Sequence, residues 1–189
     1  MLAPVALKPE LSHCDGANLE FESVYAEHFD FVWRNLRRLG VPESGLRDAS
    51  QEVFLVVHRR ISEFVPRGTV RSWLYSILRR VALAQKRKNR ERFPDGAADA
   101  DELTDESQPS PESDAARGQS LRLLLELLNS LDDDKRDALV IIDIEGMSVP
   151  EACMALDVNQ NTLYSRLRAA RLQMRQKLSQ SSRDDWRHP

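Results

Sequence analysis

Between Phe93 and Ala116 the chain carries eight acidic residues, three prolines and no basic residue. The acids are Asp95, Asp99, Asp101, Glu102, Asp105, Glu106, Glu112 and Asp114, and the large apolar residues are only Phe93 and Leu103. Such a segment has too little apolar surface to offset the entropy of folding and repels itself, so it is expected to be an extended, disordered linker. A chain of 189 residues has room for one ordinary domain or two small ones, with 41% hydrophobic content enough for a core in either case, and a cut there favours two. Charge is divided the same way. The formal net charge is -3, and without these eight acids the remainder stands at -3 + 8 = +5. An excess of cations on the folded parts suits an anionic partner, which the total conceals.

The expected divisions are a flexible N-terminal tail over 1–18, a helical domain over 19–92, the acidic linker over 93–116, a second helical domain over 117–180 and a C-terminal tail over 181–189. The fold class read from this is all-α.

In the first domain Phe21, Tyr25, Phe29, Val32, Leu36 and Leu39 recur at helical spacing, and Gly40-Val41-Pro42 ends that helix. A second helix begins near Ser44 with Leu46, Ala49, Val53, Val57, Ile61 and Phe64 as its buried stripe. On its other face lie Asp48, Gln51, Glu52 and Leu55, an acidic and amide patch beside one exposed leucine. That combination suits a basic protein partner, charge steering the encounter and leucine supplying buried area. An ordinary solvated face is equally compatible with these residues alone. After the turn at Pro66-Arg67-Gly68, Thr69 can cap a third helix, with Val70, Trp73, Leu74, Ile77, Val81 and Ala84 inward. Its outer positions are basic, including Arg71, Arg79, Arg80, Lys86 and Arg87. Aromatics beside such a track, here Trp73 and Tyr75 with Phe64 upstream, let an unpaired base stack while arginines meet its phosphates. Core packing is the competing role for Trp73.

In the second domain Leu121, Leu124, Leu125, Leu128 and Leu131 line one helix, and Asp132 can cap the next, which stops at Gly146. The stretch from Ser148 to Leu178 then reads as a short helix, a break and a longer basic helix. Ser148 and Glu151 make a capping box with Pro150 in the first turn, and Asn159 caps the second helix. Leu163, Leu167, Ala170, Met174 and Leu178 point inward. Asn161, Thr162, Tyr164, Ser165, Arg168, Arg171 and Arg175 are left to reach base edges and phosphates. This is the pattern of a helix-turn-helix, with a plain αα-hairpin as the alternative.

Other chemistry is weakly supported. Cys14 and Cys153 do not form a disulfide framework or a paired zinc motif, and the four histidines are scattered. There is no Gly-rich phosphate loop. No metal site, cofactor or enzymatic activity is expected. No apolar run approaches the roughly 20 residues that span a bilayer, and the N-terminus lacks a basic start followed by an apolar core, so neither secretion nor membrane insertion is expected.

Three segments in this order resemble the extracytoplasmic-function (ECF) sigma factors of the sigma-70 family. DASQEVFLVVHR (48–59) resembles the family's core-polymerase-binding segment. VRSWLYSILRRVALAQKRKNR (70–90) resembles its promoter-melting, minus-ten-reading helix. The stretch from Leu127 to Arg171 resembles the domain that reads the minus-thirty-five element. The resemblance covers nearly all of 21–178. It implies that Asp48, Gln51, Glu52 and Leu55 meet the clamp coiled coil of the largest polymerase subunit, with the flap as a further contact. Arg67, Thr69, Arg71, Trp73, Tyr75, Arg79, Arg80, Lys86 and Arg87 would handle minus-ten DNA. Asn161, Thr162, Tyr164, Ser165, Arg168 and Arg171 would read the minus-thirty-five duplex. It further implies a bacterial cytoplasmic protein, monomeric when free and restrained by an anti-sigma factor, that directs polymerase to a stress- or signal-responsive regulon. The chain departs from the family's usual pattern at Arg80, Ala84, Asp132, Asn161 and Tyr164; the last two fall on the reading face and leave the promoter sequence open. A conventional helix-turn-helix regulator acting without polymerase is the alternative.

Overall fold

The first helix, α1 (Phe21–Arg38), is followed by α2 (Glu43–Arg60), a short 3-10 turn (Ile61–Glu63) and α3 (Val70–Arg92). Together they make the first domain of the computed structural model, which describes residues 19–65, 68–92 and 111–184. Side-chain surroundings in the last stretch are described for 118–180. The second domain comprises α4 (Pro111–Asn129), α5 (Asp133–Leu139), a π-helical turn (Val140–Ile144), α6 (Val149–Leu156) and α7 (Gln160–Asp184). The described residues contain no strand.

Helix boundaries follow local chemistry. Leu39 and Gly40 close α1, and Gly40 adopts φ +85°, a conformation costly for any residue with a Cβ. Thr69 Oγ1 accepts the Ser72 backbone N–H at 3.2 Å at the start of α3. Asp132 accepts the Lys135 N–H at 2.9 Å. The capping box forms as expected, with the Ser148 N–H donating to Glu151 at 3.0 Å. Asp157, at φ 55°, is the left-handed residue that turns α6 away from α7, and Asn159 Oδ1 accepts the Thr162 N–H at 2.8 Å. The expected helix-turn-helix is therefore present, with each cap on the residue predicted for it.

Two expected boundaries move. Of the expected acidic linker over 93–116, residues 111–116 belong to α4, and 93–110 lie outside the described residues. The expected end of the second domain is 180, and α7 continues to Asp184. Tails 1–18 and 185–189 also lie outside the described residues.

The larger difference is in burial. The buried residues of both domains form one contiguous cluster from Val24 to Ala170, with α3 packed on α6 and α1 on α4. Two separate small cores were expected. As a result, helices of the first domain are covered on more sides than a single stripe provides. On α1 the expected residues Val32, Leu36 and Leu39 are buried, but so are Val24, His28, Phe31 and Asn35, while Tyr25 is 43% exposed. The aromatics Phe21, Tyr25 and Phe29 instead pack around Phe54 of α2, with ring centroids 6.5, 4.6 and 6.1 Å away. On α3, Tyr75, Leu78 and Ala82 join Leu74, Ile77 and Val81 in the core. Leu178, expected inward on α7, is 44% exposed.

Candidate nucleic-acid and partner interfaces

The acidic and amide patch on α2 exists as a surface. Asp48 and Gln51 are exposed, and Leu55 is 51% exposed beside them. Glu52 is half-buried and accepts a hydrogen bond from Gln85 Nε2 of α3 at 3.0 Å, so it is drawn toward its own domain.

The basic helix divides into two faces. Trp73, Arg80 and Arg87 look away from the second domain: Arg80 and Arg87 are exposed, and Trp73 is half-buried with its ring 5.1 Å from that of Phe64. Thr69 is half-buried as the helix cap, and Arg67 lies outside the described residues. Arg71, Tyr75, Arg79 and Lys86, at steps of four, four and seven, turn toward the second domain. Tyr75 is fully buried, and its hydroxyl donates to the Asp137 carbonyl at 3.5 Å. Burial raises its pKa well above the usual phenol value. In this closed arrangement Tyr75 does not offer its ring to a base: the ring is core, because the second domain closes over this side of α3.

The basic residues of that side meet a row of carboxylates. Arg79 pairs with Asp137 and lies 3.3 Å from Asp134. Lys86 pairs with Asp133, and Arg90 is 3.9 Å from the same carboxylate. Arg71 pairs with Glu145 and stands 4.7 Å from the Phe31 ring centroid, in cation–π geometry. Burial raises the Asp137 carboxyl above the ordinary carboxylate range, with Arg79 beside it offsetting part of that. In this arrangement Arg71, Arg79 and Lys86 are occupied by the chain's own acids.

Reading the sequence missed those acids. Asp133, Asp134 and Asp137 follow directly on the cap Asp132, and Glu145 ends the π turn. A cluster of acids in the second domain, set against the basic run on α3, was the available signal. Arg136 was missed as well. It is buried, and its guanidinium donates to the carbonyls of Leu39, Leu128, Asn129 and Leu131 at 2.8, 2.8, 3.2 and 3.1 Å.

On α7 the outward face is open. Asn161, Ser165 and Arg168 are exposed, and Tyr164 is 48% exposed with its hydroxyl 3.5 Å from Gln160 Nε2. Thr162 is half-buried at the cap. Arg171 is exposed but forms a two-bond pair with Asp143, at 2.9 and 2.6 Å. Tyr164, Leu167, Arg168, Arg171, Leu172 and Arg175 line a shallow groove along the helix. Exposed amide, hydroxyl and guanidinium groups at consecutive turns, on a helix fixed by a tight break from a shorter one, are what readout in a major groove requires. Among the described residues there is no group of His, Cys, Asp and Glu able to hold a metal, and no helix is long and apolar enough to cross a membrane.

Comparison with known proteins gives two matches to family models. The model described as Sigma-70 region 2 matches residues 24–92, and that described as Sigma-70, region 4 matches 121–174. The RNA polymerase sigma factor NccH of Alcaligenes xylosoxydans xylosoxydans is 29% identical over 162 residues, covering 84% of this chain and 87% of that protein. The ECF RNA polymerase sigma factor SigE of Mycolicibacterium smegmatis is 32% identical over 166 residues, covering 86% of this chain and 63% of that protein. The solved structure of the sigma factor RpoE in complex with the anti-sigma factor NepR from Bartonella quintana has the same fold. Its TM-score is 0.67 at 20% identity, over 84% of this chain and 96% of that one.

Proposed function

This chain belongs to the sigma-70 family, in its extracytoplasmic-function group, and we propose that it acts by recruitment, giving core RNA polymerase the ability to choose and open particular promoters. The observation that carries this reading is the order of three surfaces on one chain: the exposed acidic and leucine patch of α2, the basic α3, and the open face of α7.

In this reading Asp48, Gln51 and Leu55, with Glu52 at the edge, dock on the clamp coiled coil of the polymerase, and the flap meets the second domain. Arg80, Arg87, Trp73 and the loop before α3 hold the melted minus-ten strand. Flipping and unstacking a base cost a few kcal/mol, which stacking and phosphate contacts offset. Asn161, Thr162, Tyr164, Ser165 and Arg168 read the minus-thirty-five duplex. Arg71, Arg79 and Lys86 join the minus-ten contacts only after the second domain has moved away from α3, and core polymerase supplies that separation by holding each domain at its own site. A protein inhibitor of the anti-sigma kind is a further expected partner, by likeness to the RpoE complex. The site of action is the bacterial cytoplasm, where polymerase works, and the free chain is a monomer.

Reconstitution tests the reading. Purified chain mixed with core polymerase should form a complex and direct start-site-specific transcription from promoters selected out of a random library. A folded chain that does not bind core overturns it. Tight duplex binding without polymerase, with a palindromic footprint, would establish the conventional regulator instead.

A further inference from the structure

Three groups of the first domain converge on one carboxylate of the second. The Glu145 side chain is only 5% exposed. Its Oε1 accepts from Arg38 at the end of α1 and from Asn35 Nδ2 at 3.0 Å, and its Oε2 accepts from Arg71 at the start of α3. A buried carboxylate needs this many donors, since a lone one is expensive to desolvate.

Two of the three donors are also held by their own domain. The Asn35 amide also donates to the Phe31 carbonyl at 2.9 Å, and the Arg71 guanidinium lies over the Phe31 ring. Those two donors therefore keep their places when Glu145 leaves, and Arg38 at the end of α1 is left beside them. Two guanidiniums directed at separate oxygens, with a neutral amide between them, suit any anion that presents two oxygens together, a phosphodiester above all.

The setting points to a strand. Beyond the cradle the same face of α3 presents Arg79 to Asp137 and Lys86 to Asp133, so carboxylates of the second domain follow the basic track one after another. That row has the charge pattern of a nucleic-acid backbone laid along α3.

We propose that Asn35, Arg38 and Arg71 form a phosphate-binding cradle for a nucleic-acid strand, and that Glu145 fills it in the closed chain, so that the second domain and the strand compete for the same donors. It rests on the reading that the first domain handles melted DNA, but it is tested on the free chain without polymerase.

The probe is a short fluorescent oligothymidylate, titrated by anisotropy against the full chain at low salt. Glu145→Gln removes the competitor and should tighten binding about fivefold, the equivalent of one modest ion pair. Glu126→Gln, the same change in net charge at an exposed position of α4, should leave affinity unchanged. Adding Arg38→Ala to Glu145→Gln should abolish the gain. Equal affinity of wild type and Glu145→Gln, an equal gain in Glu126→Gln, or a gain that survives Arg38→Ala would each overturn the cradle.

A second measurement does not need the variants. With dyes on unnatural amino acids at the exposed positions Ser23 and Gln176, energy transfer in the otherwise wild-type chain should fall as the oligonucleotide saturates. Binding with unchanged transfer means that Glu145 keeps its place, and refutes the competition. Opening by inorganic phosphate alone at matched ionic strength would make this a free-anion site and not a strand site. A chain that directs transcription yet fails these tests loses the cradle and keeps its proposed function.

Discussion

The guanidinium of Arg136 donates to the carbonyl of Leu39 at 2.8 Å across 97 residues of sequence. Leu39 caps α1 and leaves its carbonyl without an intrahelical partner, as does Asn129 at the end of α4 with Leu131 just beyond it, while the Leu128 carbonyl also accepts the Leu131 N–H at 3.1 Å. One buried cation thus serves two helix C-termini, one from each domain, where the helix dipoles favour positive charge. The join between the domains is polar and directional at this point.

Replacing Arg136 by Met keeps much of the volume and removes the donors. Several buried carbonyls would then lose a partner, at an expected cost of about 3 kcal/mol or more in folding free energy. Urea denaturation followed by circular dichroism measures it. A loss below about 1 kcal/mol would show that water takes over these bonds and that Arg136 does not hold the join.

Gly40 is the second constraint at this point. A Cβ there would lie 2.8 Å from Arg136 Nη1 and 2.9 Å from Asn129 Oδ1, at φ +85°. Gly40→Ala should cost about 1–2 kcal/mol from backbone strain alone, and more if Arg136 is displaced. Thermal unfolding gives the value; an unchanged midpoint would contradict this geometry.

The capping box of α6 makes a pH-dependent contribution. Burial pushes the Glu151 carboxyl up, but bonds from the Ser148 hydroxyl and backbone N–H more than offset it, and the net shift is downward. A carboxyl whose pKa is depressed on folding contributes stability that is complete above the ordinary glutamate range and is lost as pH falls through the folded value. Ser148→Ala should remove about 1 kcal/mol at neutral pH and flatten the decline in stability on acidification. Stability curves of the two proteins that run parallel below pH about 5 would disprove the link.

For docking, Asp48→Lys is the cleaner probe, because Glu52 is engaged with Gln85 and its replacement disturbs the first domain as well. Reversing the charge at Asp48 should weaken core-polymerase binding roughly tenfold, mainly through the association rate, with the melting temperature unchanged. Competition binding against the wild-type chain tests this, and equal affinity would remove Asp48 from the interface.

Arg168 and Arg171 should behave differently on duplex DNA. Arg168 is free to reach a base, and Arg168→Ala should cost about 1–3 kcal/mol on the preferred sequence and less on others. Arg171 must first give up Asp143, so Arg171→Ala should have a smaller effect, about 0–1 kcal/mol. A uniform loss across sequences for Arg168→Ala would make it a phosphate contact.

Features governed by neighbouring residues could be read directly. Asp132, Ser148 with Glu151, Asn159 and Thr69 cap helices through bonds three residues long, which depend on little beyond their own turn. The exposed face of α2 and the open face of α7 also followed from helical period. Period failed where a helix has two neighbours. The aromatics of α1 gather around Phe54 of α2 within the first domain, and the inner side of α3 gains a second buried stripe from the second domain.

Most of the helices, their caps, the helix-turn-helix and the segregation of acid from base are legible in the chain alone, because they depend on spacing and composition within a few turns. Only the tertiary structure decided that Tyr75 is core, that Arg71, Arg79 and Lys86 are held by Glu145, Asp137 and Asp133, and that Arg136 ties Leu39 to the end of α4. Those pairs join residues 47 to 97 positions apart, and a charge's partner at such separation is set by which surfaces meet, not by spacing along the chain.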